Sequence, residues 1–280
     1  MSAERRPGGR SRPPRAVSGH IARKRFGQHF LADRSVLAAI VHAIAPLSTD
    51  GVLEIGPGLG VLTAELLQSL PRLAAVEIDR DLCERLRRRF GPERLCLFEA
   101  DALGFNPAEA VAALGAPRLR VVGNLPYNIS SPLLVALVEA RHLIRDQHFL
   151  LQKEVVERIA ASPGSSSFGR LSVILQAFYE VELLFDVPPD AFDPPPRVDS
   201  AVLRMITREQ PLTTDLPALQ AVLTPAFAQR RKMIRSTLIP WLRERGVGTQ
   251  SLNGESRAEE ISVAQYCALA DQLRSINSIL

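Results

Sequence analysis

Short apolar runs alternate with stretches of helical periodicity through most of this 280-residue chain. Gly51-Val52-Leu53-Glu54-Ile55 reads as a strand ending in Gly56-Pro57-Gly58-Leu59-Gly60, and Leu62, Leu66, Leu67 and Leu70 follow at helix spacing. Residues 73–78 predict a second strand, 81–90 a charged helix and 95–98 a third strand. Val121-Val122 is a fourth, running into Gly123-Asn124-Leu125-Pro126-Tyr127. Residues 132–139 and 170–179 predict helices; 148–151, 181–187 and 198–206 predict strands. This β-α alternation implies a doubly wound, Rossmann-like α/β fold, a parallel sheet with helices on both faces. Near Pro211 the texture changes. Leu219, Leu223, Phe227, Ile234 and Leu238 keep helical spacing while strand runs disappear. The expected division is a basic arm at 1–21, a catalytic domain at 22–210 and a small all-helical C-terminal domain at 211–280.

The net charge of +4 changes little, but its distribution matters. The first 25 residues hold eight Lys/Arg against one acid, Glu4, with Pro and Gly and almost no large apolar residue. Such a segment buries too little surface to offset its ordering entropy and is expected to be disordered. It lacks the apolar core of a secretory signal, and its Pro and Gly oppose the amphipathic helix of a transit peptide. No apolar run approaches the roughly 20 residues of a membrane span. Cys83, Cys96 and Cys267 stand far apart, without CxxC spacing or a His-rich neighbour, so neither a zinc site nor a disulfide frame is indicated. A reducing, cytoplasmic setting and a monomer are expected.

The candidate chemistry lies at the strand ends. Gly56, Gly58 and Gly60 sit at a strand-to-helix turn, where backbone N–H groups and the helix dipole can meet a ligand. A tight turn with no ligand would read the same way. Glu77, about 20 residues on at the next strand end, can hold ribose hydroxyls, or it is a solvated loop acid. Up to that point a nicotinamide dinucleotide fits as well as S-adenosylmethionine. Asp101 and Asn124 follow the third and fourth strands and put further polar groups on the same edge. Adenine's exocyclic nitrogen is a poor nucleophile because its lone pair is delocalised into the ring. Carbonyl oxygens that accept its N–H bonds favour the pyramidal form. Asn124 offers a side-chain carbonyl, Leu125 a main-chain one and Tyr127 an aromatic face for the base. The alternative is a structural turn with a half-buried Tyr.

Asn124-Leu125-Pro126-Tyr127 after a Gly-x-Gly-x-Gly loop resembles the adenine-N6 methyltransferases, and the rest of the chain resembles the bacterial KsgA (RsmA) ribosomal RNA adenine dimethyltransferases. The likeness runs from about residue 22 to 271. It includes Gln28 with Phe30-Leu31, Gly169-Arg170-Leu171-Ser172-Val173, Pro194-Pro195-Pro196-Arg197-Val198-Asp199-Ser200, Arg230-Arg231-Lys232 and Ile261-Ser262-Val263-Ala264-Gln265-Tyr266.

The resemblance implies a class I methyltransferase sheet and S-adenosylmethionine contacts from His29, Leu31, Gly56, Glu77, Asp101 and Asn124. It puts Tyr127 on one face of the target base and Phe192 on the other. The implied substrate is a pair of adjacent adenines in the 3′-terminal hairpin loop of 16S ribosomal RNA within an immature small subunit. Members usually carry Asn where this chain has His29. An imidazole there could face the cofactor's carboxylate, RNA phosphate or solvent. By composition alone, Phe192 also fits a loop anchored in the core. Arg230, Arg231, Lys232 and Arg235 also fit a solvated helix face, although with the arm and Arg85, Arg87, Arg88 and Arg89 they form a candidate phosphate footprint. Two other readings stay open: a macrolide-resistance enzyme acting on large-subunit RNA, and an assembly or transcription factor that keeps the fold without the activity.

Overall fold

The computed structural model describes residues 29–278, together with the backbone of 16–17 and 20–21. The remainder of the basic arm and the stretch 22–28 lie outside the described residues. Within the arm, β1 (Ala16–Val17) and β2 (His20–Ile21) form a short antiparallel pair, a departure from the disorder expected there.

The chain then runs through β3 (Phe30–Leu31), α1 (Arg34–Ile44), β4 (Gly51–Ile55), α2 (Val61–Ser69), β5 (Leu73–Glu77), α3 (Arg80–Phe90) and β6 (Leu95–Glu99). It continues with α4 (Pro107–Leu114), β7 (Leu119–Asn124), α5 (Ser130–Glu139), β8 (Ile144–Gln152), α6 (Lys153–Ala160), α7 (Arg170–Phe178), β9 (Tyr179–Val187), β10 (Phe192–Asp193) and β11 (Ser200–Thr207). Helices α8 (Leu216–Phe227), α9 (Leu238–Arg243) and α10 (Val263–Asn277) complete it. The ends carry the expected chemistry. Asp33 accepts the Ser35 and Val36 amides to start α1, Asp215 caps α8, and Ser262 with Gln265 forms a reciprocal capping box on α10. Helix α2 differs: it begins at Gly60 with no side-chain cap.

Seven strands form one sheet in the order β6-β5-β4-β7-β8-β11-β9. Strands β6, β5, β4, β7 and β8 are parallel, as the β-α alternation implies. The sheet is nonetheless mixed, because β11 is antiparallel to both β8 and β9. The cause is local. Only a single 3-10 turn and the two-residue β10 separate β9 from β11, and a parallel pairing needs a long crossover, usually an α-helix. Strand order reverses between β4 and β7, the switch point at which open α/β sheets bind ligands.

Side-chain alternation divides the core between the two sheet faces. Leu53, Ile55, Ala74, Val76 and Val121 enter one cluster, and Val52, Leu73, Ala75 and Val122 the other, with Leu37, Ile40 and Ile44 of α1. The first cluster continues through α7 into Leu219, Leu223, Leu238, Tyr266 and Leu273, so the C-terminal helices share a core with the sheet. Among the described residues no helix is long and apolar enough to cross a membrane, and the three cysteines are free thiols.

At the sheet edge away from the strand ends that carry the candidate chemistry, Arg120 of β7 is buried with two acids. Its Nε lies 3.0 Å from Asp146 Oδ1 and its Nη1 3.0 Å from Asp50 Oδ2, with a further bond to Ala45 O. His148 Nδ1 stands 3.5 Å from Asp146 Oδ1. Burial acts to raise the Asp146 pKa, but the neighbouring His148 and Arg120 outweigh it and hold the carboxyl below its ordinary value. Removing one member strands a buried charge, so Arg120→Ala should cost about 3–5 kcal/mol of stability and Arg120→Met no less than half as much. Because the folded pKa of Asp146 is depressed, its contribution is complete above the ordinary carboxylate value of about 4 and is lost as pH falls through the folded value. Urea unfolding from pH 7 down to pH 2 should show Asp146→Asn losing less stability on acidification than the wild type. Parallel acid limbs would contradict that assignment.

Candidate active site

Strand β4 ends in a loop that only glycine can make comfortably. Gly56, Gly58 and Gly60 have φ of 67°, 57° and 71°, in the left-handed region. The uncapped N-terminus of α2 points out of this loop, leaving amide donors and a positive dipole end for a ligand. Glu77, the last residue of β5, is buried against it. Its carboxylate accepts from Gly58 N at 3.2 Å and from Ile78 N and Asp79 N at 2.9 Å each. Burial nevertheless pushes its pKa up, against the lowering effect of those amides. Asp101 follows β6, is exposed, and accepts from Leu103 N.

Strand β7 delivers the other half. Gly123 lies so close to β4 that a Cβ there would sit 2.4 Å from Ile55 O. Asn124 follows, and its Nδ2 donates to His29 O at 2.9 Å. With Nδ2 committed, an acceptor role falls to Oδ1. Tyr127 is half-buried, hydrogen-bonded through its hydroxyl to Ser200 Oγ at 2.8 Å. His29 Nδ1 meets Pro194 O at 2.9 Å, and the imidazole stacks on Tyr127 with ring centroids 5.9 Å apart and planes 25° apart. The segment holding His29 is itself pinned, since Leu31 and Phe30 of β3 pair with Phe192 and Asp193 of β10.

A cavity of about 200 Å³ joins these parts. His29, Leu31, Gly56, Glu77, Asp101, Asn124, Leu125 and Tyr127 all line it. Phe192 does not. It is 3% exposed and packs in the second core cluster with Leu31, Leu37 and Ile40, because its pairing with Leu31 turns the ring inward. In this structure its side chain is packed in the core behind Leu31 rather than on the cavity wall. The basic clusters are also less free than the sequence implied. Arg230 bonds Ser166 O and Phe168 O, Arg87 pairs with Glu99, Arg88 with Glu84, and Arg89 donates to Leu59 O.

Three residues of the site escaped the sequence reading. Glu54 lines the cavity at 2% exposure and accepts from Thr63 Oγ1 at 2.6 Å. His148, buried on β8, lines it as well, and Ser200 anchors Tyr127. The available signal was the carboxylate of Glu54 inside an otherwise apolar buried strand.

A family model described as ribosomal RNA adenine dimethylase matches residues 19–275. The chain belongs to the ribosomal RNA adenine dimethylase family. Curated relatives called ribosomal RNA small subunit methyltransferase A include one from Bordetella avium, 54% identical over 92% of this chain and 97% of its own length. Another, from Herminiimonas arsenicoxydans, is 53% identical over 91% of this chain and 99% of its own. Among solved structures, a dimethyladenosine transferase from Plasmodium falciparum aligns with a TM-score of 0.74 at 25% identity, covering 89% of this chain and 98% of that one. The 23S rRNA methyltransferase ErmE aligns at 0.63 and 26% identity, covering 88% and 99%. Membership of the dimethylase family makes the chain an RNA-modifying methyltransferase on an α/β fold with a C-terminal helical region.

Glu54 gives this dimethylase site a measurable pH signature. Burial raises its pKa from 4.5 to about 7, against the lowering bond from Thr63. The folded state thus binds this proton more tightly than the unfolded chain. The associated stability is complete below pH 4.5 and lost as pH rises through about 7. In urea titrations across that window, Glu54→Gln should lose less stability than the wild type. An equal loss in both would place the titration elsewhere.

Proposed function

We propose that the chain transfers methyl groups from S-adenosylmethionine to the N6 amino groups of two adjacent adenines in the 3′-terminal hairpin loop of 16S ribosomal RNA, within an immature small subunit. It would act as a cytoplasmic monomer, with the catalytic domain at residues 22–210 and the helical domain at 211–280. The observation that carries this reading is the Asn124 carboxamide, fixed by His29 O beside a glycine loop and a buried Glu77 in one cavity. The small-subunit relatives, at over half identity across nearly their whole length, favour it over the large-subunit alternative.

The donor set fits S-adenosylmethionine. Glu77 at the end of β5 suits ribose hydroxyls, and Asp101 suits the amino group of an adenine ring. Gly56 leaves room for close backbone approach. Leu31 and the His29 segment line the cavity beside the glycine loop and would flank the methionine end. When bound, the cofactor supplies an electrophilic sulfonium methyl.

The chain's own residues do the rest. A base drawn out of a loop stacks on Tyr127. Asn124 Oδ1 and Leu125 O accept the two N–H bonds of its amino group and hold the nitrogen lone pair toward the methyl. No strong base is required, because the nitrogen becomes acidic on methylation and gives up its proton to water. The monomethyl product keeps one N–H, so a site with two acceptors can hold it for a second transfer. Exposed Arg231 and Lys232 would contribute to phosphate binding, a role that Arg230, tied to two carbonyls, is less free to share.

Methyl transfer should be measured on small-subunit particles, large-subunit RNA and DNA in parallel, with small-subunit particles expected to be the preferred acceptor. Preference for either alternative would overturn the substrate. Asn124→Ala should cut the single-turnover rate by on the order of 10²-fold or more while RNA binding persists, as loss of a preorganised polar partner does elsewhere. Glu77→Ala should sharply weaken cofactor binding in calorimetry with the fold intact, and wild-type affinity there would displace the ribose from this position.

A further inference from the structure

Tyr127 is gripped from two sides. On one side the buried Ser200, first residue of β11, bonds the phenolic oxygen at 2.8 Å. On the other the His29 imidazole lies against the ring while its Nδ1 is tied to Pro194 O. Three separate stretches of chain therefore meet at this residue: the segment before β3, the turn after β7 that carries Tyr127, and the start of β11. Ser200 is held in turn by sheet pairing on both sides, opposite Gln152 and Val187. A ring left free about its two side-chain torsions would present its face to a base only part of the time. Fixing it in advance removes that ordering cost from the step in which the base is bound.

We propose that Ser200 and His29 are positioning residues that clamp Tyr127, so that its ring stands ready as the platform for the target adenine. The family resemblance implies an Asn at the position of His29. The imidazole adds ring contact with Tyr127 that an Asn side chain could not supply, while the bond to Pro194 O needs only a polar side chain. The inference rests on the proposed function for its catalytic consequence, but the clamp itself is a property of the RNA-free protein and can be read there.

The first measurement needs no substrate. The chain has three tyrosines, of which Tyr179 and Tyr266 are fully buried. With 3-fluorotyrosine incorporated, the Tyr127 resonance is assigned by its loss in Tyr127→Phe. Ser200→Ala and His29→Ala should each shift it toward the solvent-exposed position and narrow it, with the other two resonances unmoved. An unchanged Tyr127 resonance in both variants would overturn the clamp whatever the enzyme's substrate proves to be.

The second is a single-turnover cycle at saturating cofactor and RNA. Tyr127→Phe and Ser200→Ala should each slow transfer by about tenfold, the worth of one hydrogen bond, and the double variant should be no slower than either. His29→Phe, which keeps a ring, should retain more activity than His29→Ala. Cofactor affinity of Tyr127→Phe and Ser200→Ala should equal that of the wild type. Additive losses in the double variant, or full rates with only a lowered melting temperature, would overturn the positioning role. If wild type methylates no ribosomal particle, the proposed function fails and the resonance test alone decides the clamp.

Discussion

The approach of β7 to β4 at Gly123 is the constraint on which the site depends. A hydrogen is all that fits there, since a Cβ would stand 2.4 Å from Ile55 O, a backbone atom that cannot rotate away. The contact lies one residue before Asn124 and one residue before the glycine loop, so it sets the distance between the two halves of the cavity. In the proposed function, the β4 side, from Gly56 to the start of α2, would serve ligand backbone contacts, and the β7 side, from Asn124 to Tyr127, a planar polar group. A side chain at Gly123 would pry these halves apart even with every chemical group intact.

The cavity is also a place where carboxyl groups are held against their preference. Glu54 is fully buried and titrates near neutrality at about 7, while Glu77 is raised in direction despite three amide donors. Both shifts come first from burial, which disfavours the charged form. A cation entering the cavity reverses that penalty, because opposite charge favours the ionised carboxylate. The same groups that destabilise the empty site at neutral pH therefore suit it to a positively charged ligand, and the penalty falls on the folded protein rather than on the complex. The Arg120 network at the opposite sheet edge is the converse case. There, acids and base neutralise each other without a ligand and tie together the starts of β4, β7 and β8.

Much of this was legible in the sequence because buried parallel strands advertise themselves. The runs ending in Gly56, Glu77 and Asn124 are apolar, short and bounded by turn residues, and their ends carry the polar groups of the cavity. Helix α1 was missed although Asp33 caps it, since attention to strand runs passes over a helix that precedes the first of them. The reversal of β11 was missed because periodicity reports which face a residue occupies and is silent on strand direction. Phe192 shows the same limit at one residue. An aromatic beside prolines reads by itself as a loop anchor in the core and only by resemblance as a stacking platform; the pairing of β10 with β3 accompanies a buried ring. The contacts of Ser200 and His29 are beyond the reach of sequence for a different reason. Their partners lie 73 and 165 residues away, at Tyr127 and Pro194.

Phe192 and Tyr127 differ in what each touches in this structure. Phe192, packed with Leu31, Leu37 and Ile40, ties β10 to α1 and β3 and so holds the loop that presents Pro194. Through Pro194 the loop holds His29, and through His29 O it holds the Asn124 amide. The ring of Tyr127 is left half-buried at the cavity wall, which is the only one of the two aromatics a base can meet without first disturbing the core. Burying Phe192 is thus consistent with its importance to the site: it acts at a distance of one hydrogen-bonded loop, fixing the geometry in which Asn124 and Tyr127 face the same space.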